Sequence, residues 1–380
     1  MNRTILGKVC NIVMGQSPIG SSYNEIGEGV ALINGPTEFT DKYPIKRQWT
    51  NKRTKLCKKD DILICVRGSS TGRMNIANDT YCIGRGVAAI SGRSDVALTE
   101  YIYYLLDFEV NNILLKSAGS TFPNITSKEL NELPIMLFDS TTQKNIVEIL
   151  KTWDKAIDLK QKLLQEKLKQ KQGLMQRLLT GKIRIRGFNG VWKVTKISKI
   201  LEESKELEEN PSFERLLSVR LHLQGVNKRV VTGSEVDGAT TVYTRRAGQF
   251  IYGKQNFHNG SMGIVPKELD GFASSADIPS FNFRSGYSSK YFYYYWARTN
   301  YYKELESLTT GTGSKRLNPK EFLSVSIKIP DYQEQNKIMI ILDKASEEIN
   351  LLEKEIELLK KQKKGLMQLL LSGIVRVNCD

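Results

Sequence analysis

Lys169–Gly181 reads KQKQGLMQRLLTG, and Lys361–Gly373 reads KQKKGLMQLLLSG. At an offset of 192 residues, ten of these thirteen positions are identical. The same offset carries backwards without a gap, pairing Gln143 with Gln335, Ile146 with Ile338, Leu150 with Leu342 and Ile157 with Ile349. It also places Lys128-Glu129 on Lys320-Glu321. A repeat of this length governs the whole architecture.

The repeated stretch has helical periodicity. In the second copy Ile338, Leu342, Ala345, Ile349, Leu352, Ile356, Leu359, Lys363, Leu366 and Leu370 follow one another by fours and threes, a heptad seam with one lysine in it. The first copy gives Ile146, Leu150, Trp153, Ile157, Lys160, Leu164, Lys167, Lys171, Leu174 and Leu178, with Leu163, Leu168, Met175 and Leu179 widening the stripe. Neither copy contains proline, and each has one internal glycine, Gly173 or Gly365. Each is expected to be a single helix of about 38 residues, roughly 57 Å long. Such a helix cannot stand alone in water, and its own copy is the economical partner. The expectation is an antiparallel pair related by an approximate two-fold axis.

At 380 residues the chain is long enough for two or more domains. Forty per cent hydrophobic and 26% charged residues describe a folded chain. A net charge of +15 suggests a polyanionic partner. The five cysteines form no CxxC pair and there are two histidines, His222 and His258, so no zinc-site spacing is present. No apolar segment reaches the length of a signal core or membrane span. The expected location is the cytoplasm, with no metal and no membrane.

The expected organisation is α+β: a first globular unit over 1–139, a spacer helix and linker over 140–187, a second unit over 188–332, and a C-terminal spacer helix over 333–380. Strands are expected at Val30–Ile33, Asp61–Val66, Tyr81–Ile83 and Gly86–Ile90, then at Leu216–Val219, Thr240–Thr244, Gln249–Tyr252 and Met262–Val265. Helices are expected at Glu100–Leu115 and across the aromatic run Lys290–Tyr302. The middles of the two units show no obvious sequence match. In Tyr291–Trp296, consecutive aromatics point all round a helix, so core packing is favoured over a base-stacking platform.

Catalytic motifs are absent. Gly311-Thr312-Gly313-Ser314-Lys315 lacks the spacing of a phosphate-binding loop, and His258 has no nucleophile that spacing supplies. Two compact units on a rigid strut, in a basic chain, instead suit a bipartite reader of a long polymer. A 57 Å strut corresponds to roughly 17 base pairs of B-form DNA. Arginine and lysine in turns suit phosphate and guanine, and asparagine suits adenine. The candidate DNA-binding residues are Arg67, Ser69, Arg73 and Arg85 in the first unit, and Lys254, Asn256, His258, Lys315 and Arg316 in the second. The alternatives are a coiled-coil scaffold for other proteins, with incidental basic charge, and a nuclease, which no Asp/Glu cluster supports.

The paired KQKxGLMQxLLxG helix ends, with Gln335-Asn336-Lys337-Ile338 and Gln143-Lys144-Asn145-Ile146, closely resemble the specificity subunit of type I restriction–modification enzymes. Asp61–Arg73 with Cys82–Gly86, and Gly248–Pro266 with Ser275-Ala276-Asp277, resemble two types of target recognition domain. The resemblance covers essentially the whole chain. It implies two target recognition domains joined by antiparallel helices, each reading half of a split double-stranded DNA sequence. It implies no catalysis and no bound cofactor in this subunit. Two modification subunits would methylate adenine with S-adenosylmethionine, and restriction subunits would use ATP and Mg. The long helices and the joints Lys128–Phe138 and Lys320–Pro330 would dock the modification subunits. Two departures stand out. Trp192 has no counterpart near the N-terminus, so the first unit's entry is stripped down or completed by the last residues of the chain, and Phe138 stands where the second half has Pro330.

Overall fold

The computed structural model describes residues 2–116, 124–230, 241–311 and 315–377. The expected turn Gly119–Phe122 and the Thr312–Ser314 part of the glycine-rich loop lie outside them. Two compact units are present. Unit 1 comprises Met1–Gln161 with Glu355–Asp380, and unit 2 comprises Lys162–Lys354.

In unit 1, strand β1 (Asn2–Ile5) leads through a single turn, Leu6–Val9, into β2 (Cys10–Met14). Then come β3 (Ile62–Cys65), β4 (Met74–Ile76) and β5 (Val87–Gly92), in an antiparallel sheet of order β2-β5-β3-β4. Helix α1 (Thr99–Lys116) follows, and β6 (Pro134–Leu137) returns to pair with β1. A second, five-stranded sheet is built from Tyr23–Asn24, Gln48–Thr50, Val30–Ile33, Tyr81–Ile83 and Leu56–Cys57, in that order. Unbroken apolar runs such as Ile62–Cys65 are buried on both faces, because their sheet lies between the five-stranded sheet and α1. The first long helix, α2 (Ser140–Leu178), follows β6.

Unit 2 repeats the plan. Strand β7 (Lys193–Lys196), a 3-10 turn at Ile197–Lys199 and β8 (Leu201–Ser204) lead to β9 (Phe250–Tyr252), β10 (Met262–Ile264) and β11 (Ser280–Phe283). Their sheet order is β8-β11-β9-β10, strand for strand that of unit 1. Helix α3 (Ser289–Ala297) stands where α1 does, β12 (Ser326–Ile329) pairs with β7, and the second long helix α4 (Tyr332–Leu371) follows. The two units thus share a four-stranded sheet that their sequences do not display, while their second sheets differ: five strands in unit 1, and in unit 2 the pairs Leu217–Val219 with Val226–Lys228 and Val242–Arg245 with Phe272–Ser275. Sheets conserve an inward apolar pattern and little else.

The aromatic run packs inward: Tyr291, Phe292, Tyr295 and Trp296 are buried around Phe250 and Phe322. Its helix is shorter than the expected 290–302, because Ala297 ends the α-helix and a 3-10 stretch continues over Arg298–Leu308.

Both long helices are uninterrupted. Gly173 and Gly365 have open space where a side chain would point. They stop alike, with Gly181 and Gly373 in the left-handed region at φ +71° and +75°. In unit 1 the first part of α2 lies beside the last part of α4. Lys160 pairs with Glu355 at 2.8 Å and Lys363 with Asp154 at 2.5 Å. Residue numbers rise on one segment as they fall on the other, so these segments are antiparallel. In unit 2 Lys167 pairs with Glu348 at 2.5 Å, and the Lys171 ammonium lies 5.8 Å from the Tyr294 ring centre. Every lysine in the apolar seam thus has an acidic or aromatic neighbour.

Within unit 1 the seam residues Ile146, Leu150, Ile157, Ile356 and Leu370 are buried, and Trp153, Leu359 and Leu366 are half-buried. Within unit 2 Leu178, Ile338, Leu342, Ile349 and Leu352 are buried and Leu164 is half-buried, whereas Leu174 is 37% exposed. Met367, Leu370 and Leu371, from the end of α4, enter the unit 1 core beside Leu6, Leu105 and Ile146. The end of α2 does the same in unit 2, where Met175, Leu178 and Leu179 pack in the core together with Trp192, so the tail of α4 is the repeat's shared contribution and not a substitute for the missing tryptophan. In unit 2 Trp192 occupies the corresponding entry, donating to Glu334 at 3.1 Å, and Glu334 also takes a two-pronged contact from Arg184.

Candidate nucleic-acid interface

The turn after β3 and the turn before β5 lie side by side, since Val66 N–H donates to Gly86 O at 2.9 Å. They carry exposed Arg67, Ser69 and Arg85. Among the described residues neither guanidinium has a carboxylate within ion-pair distance. Loop 15–17 closes against the second turn: Gln16 N–H donates to Ile83 O, and Arg85 N–H to Ser17 Oγ. Gly15 permits this, because a Cβ there would stand 2.1 Å from Gly84 O and 2.6 Å from Val87 O. Arg73 behaves differently. Its guanidinium donates to Phe39 O at 2.9 Å and reaches Pro36 O and Thr40 O at 3.4 Å, so it braces loop 36–40.

In unit 2 the loop after β9 is tied to its neighbours by the main chain. Lys254 N–H donates to Asp277 O, Leu317 N–H to Lys254 O, and His222 N–H to Asn259 O. Lys254, Asn256, His258, Lys315 and Arg316 are thereby gathered at one end of the sheet. Their charges are largely answered. Arg316 pairs with Asp277 at 3.0 Å and Lys315 with Glu306 at 2.6 Å, and the lysine holds that carboxyl below its usual range. Asn256 Oδ1 accepts from Asn259, and His258 Nε2 lies 3.3 Å from the Asn259 amide. His258 Nδ1 is buried without a hydrogen-bond partner among the described residues.

Beneath this loop cluster, buried Arg245 spans the strands, donating to Ser274 Oγ, Ser280 Oγ, Ser204 O and Ile278 O at 2.7–3.1 Å. Burial lowers its pKa to about 10, which leaves it charged at neutral pH. Sequence reading missed it, since no single-residue signal separates a buried arginine from a solvated one. It also passed over the run Lys42–Lys59, whose signal was present: eight cations and no acid. Among the described residues no group of three or more His, Cys, Asp or Glu is placed to hold a metal.

The model of the type I restriction modification DNA specificity domain matches residues 4–170 and 236–361, most of both units. The chain belongs to that family. One similar specificity-family protein is a putative MjaX specificity subunit of Methanocaldococcus jannaschii. It is 40% identical over 179 residues, which is 47% of this chain and 42% of that protein. The chain thus spans less than half of that relative. The MjaVIII specificity subunit of the same organism is 23% identical over 350 residues, covering 86% of this chain and 82% of its own length. Two crystal structures share the fold at 15% identity and a TM-score of 0.53. One is the S subunit of a type I restriction–modification system from M. genitalium, aligned over 100% of this chain and 96% of its own. The other is HsdS from Thermoanaerobacter tengcongensis, aligned over 98% and 97%.

Proposed function

We propose that this chain is the sequence-reading, non-catalytic subunit of a type I restriction–modification complex. Each unit reads one half of a split double-stranded target, and α2 and α4 form an antiparallel coiled coil that sets the unread spacer. The observation that carries this reading is the family match across both units, joined to one sheet order built twice under two dissimilar sets of loops. A protein-binding scaffold would not call for arginine-bearing turns in place of acidic or apolar ones, and the family match does not favour it.

In this reading Arg67, Ser69 and Arg85 contact DNA from unit 1. Arg73 holds a neighbouring loop in shape. Lys254, Asn256, His258, Lys315 and Arg316 act from unit 2, with Lys315 and Arg316 exchanging their carboxylates for phosphate. Two modification subunits dock on the long helices and on the joints 128–138 and 320–330. Leu159, Leu163, Leu351 and Leu358, each at least 43% exposed, are the apolar footholds. S-adenosylmethionine belongs to the modification subunits, and ATP and Mg to the restriction subunits. No described helix is long and apolar enough to cross a membrane, and the proposed location is the cytoplasm.

The test is methylation mapping with the modification partner present. Arg67→Ala or Arg85→Ala should relax one half of the methylated sequence, by about 1–3 kcal/mol for a lost base contact, and leave the other half unchanged. Equal loss at both halves would refute modular reading.

A further inference from the structure

The strongest unassigned charge lies in segments that flank two strands of the five-stranded sheet of unit 1. Lys42, Lys46, Arg47, Lys52, Arg53, Lys55, Lys58 and Lys59 are all exposed, and no acid interrupts them. Among the described residues only Lys46 has a carboxylate partner, Asp79 at 2.7 Å. The two strands between them, Gln48–Thr50 and Leu56–Cys57, are fixed by pairing to Val30–Leu32 and to Tyr81–Cys82. The eight cations lie in segments 42–47, 52–55 and 58–59 that flank these strands, a basic ribbon anchored by the strand pairing. It is also tied to the candidate reading loops. Thr54 Oγ1 donates to Gln16 O, Ile83 N–H donates to Lys55 O at 2.9 Å, and Asn34 Nδ2 donates to Gln48 Oε1 at 3.3 Å. Arg85 follows two residues after Ile83, on the same turn.

The segment of unit 2 that opens on β8 is acidic instead. Residues 201–214 carry six acids, Glu202, Glu203, Glu206, Glu208, Glu209 and Glu214, against one cation, Lys205. Nearby cations are consumed locally, with Arg246 on Glu206, Lys205 on Glu203 and Arg284 on Glu202.

We propose that the Lys42–Lys59 ribbon is a DNA phosphate grip that supplies most of unit 1's sequence-independent, salt-sensitive affinity for DNA. This deepens the DNA-reading function proposed above and rests on it. Unpaired ammonium and guanidinium groups beside anchored strands neutralise phosphates and release their counterions, whereas cations already paired with carboxylates have that exchange to undo. The ribbon's link to the Gln16 and Arg85 loops means that backbone docking seats those loops at the groove.

The experiment titrates the full chain with a labelled duplex of scrambled sequence at several salt concentrations. The variant is Lys52→Gln, Arg53→Gln, Lys55→Gln, and the control is Lys193→Gln, Lys196→Gln, Lys199→Gln, which removes the same charge from unit 2. The ribbon variant should lower the slope of log affinity against log salt by about 2.7, so the unaltered chain's advantage shrinks about 40-fold between about 50 and 200 mM salt. The control should keep a slope within about one of the unaltered chain. An unchanged slope in the ribbon variant, or an equal fall in both, overturns the grip while leaving DNA reading intact. Absence of salt-dependent binding by the unaltered chain overturns both.

Discussion

Gln143 and Gln335 occupy equivalent places in the repeat and make equivalent bonds. Gln143 is buried, accepts from Leu98 N–H at 2.8 Å ahead of α1, and donates to Phe138 O at 2.8 Å. Gln335 is buried, accepts from Ser288 N–H at 3.0 Å ahead of α3, and donates to Pro330 O at 3.0 Å. One amide thus locks the start of a recognition-unit helix to the joint that begins a long helix. The same joint bond forms with either Phe138 or Pro330, because only the carbonyl is used. Gln143→Ala should cost about 1–3 kcal/mol, the penalty for stranding a buried amide partner. Urea unfolding should register the loss, with hydrogen exchange accelerating at 96–105 and not at 288–297. Burial also pushes the thiol of Cys10 and that of Cys57 up to about 12, and that of Cys65 to about 11. They should resist alkylation at pH 8 in the native chain and react on unfolding; early labelling of Cys57 or Cys65 would contradict the closed sheet pair. Because the folded state holds these protons more tightly than the ordinary thiol value of 9.0, their contribution to stability is present below pH 9 and is lost between pH 9 and 12.

Among the elements, the long helices show how a polar residue enters an apolar seam. Asp154 receives Lys363 at 2.5 Å and the Tyr104 hydroxyl at 2.7 Å. Asp154→Ala should lower thermal stability, by about 1–3 kcal/mol for a lost charged hydrogen bond. Lys363→Leu added to it should recover most of that loss, because an apolar pair replaces an unsatisfied ammonium. Failure of the second change to recover stability would mean that the lysine's packing over Tyr104, 5.2 Å to the ring centre, matters more than its charge. These helices were legible in the chain because a 3.5-residue period and a 13-residue signature need no tertiary information. The shared four-stranded sheet was not. The strands expected at Gln249–Tyr252 and Met262–Val265 are present, but Leu201–Ser204 and Ser280–Phe283 carry too few alternations to be told from loops, and equivalent strands need match only in which face is apolar. The loop candidates were half legible. Turn chemistry located Arg67 and Arg85, but nothing local distinguishes Arg85, left open, from Arg73, spent on three carbonyls, or from Arg316, already paired.

For the whole molecule, the repeat separates what is shared from what is read. A heptad inserted in phase into both α2 and α4 lengthens each by about 10 Å, and the unread spacer in methylation maps should grow by about three base pairs with both half-sites kept. An unchanged spacer would remove the strut from the proposal. Unit 1 begins with the first residues described and takes part of its core from Met367, Leu370 and Leu371. During synthesis it is therefore the earlier unit to emerge and the later one to finish. The nascent first 161 residues must wait, with Leu6, Leu105 and Ile146 short of neighbours, until the tail of α4 leaves the ribosome. A truncation before Met367 should thus leave unit 1 open to protease and holdase chaperones while unit 2, whose residues are by then all made, stays resistant.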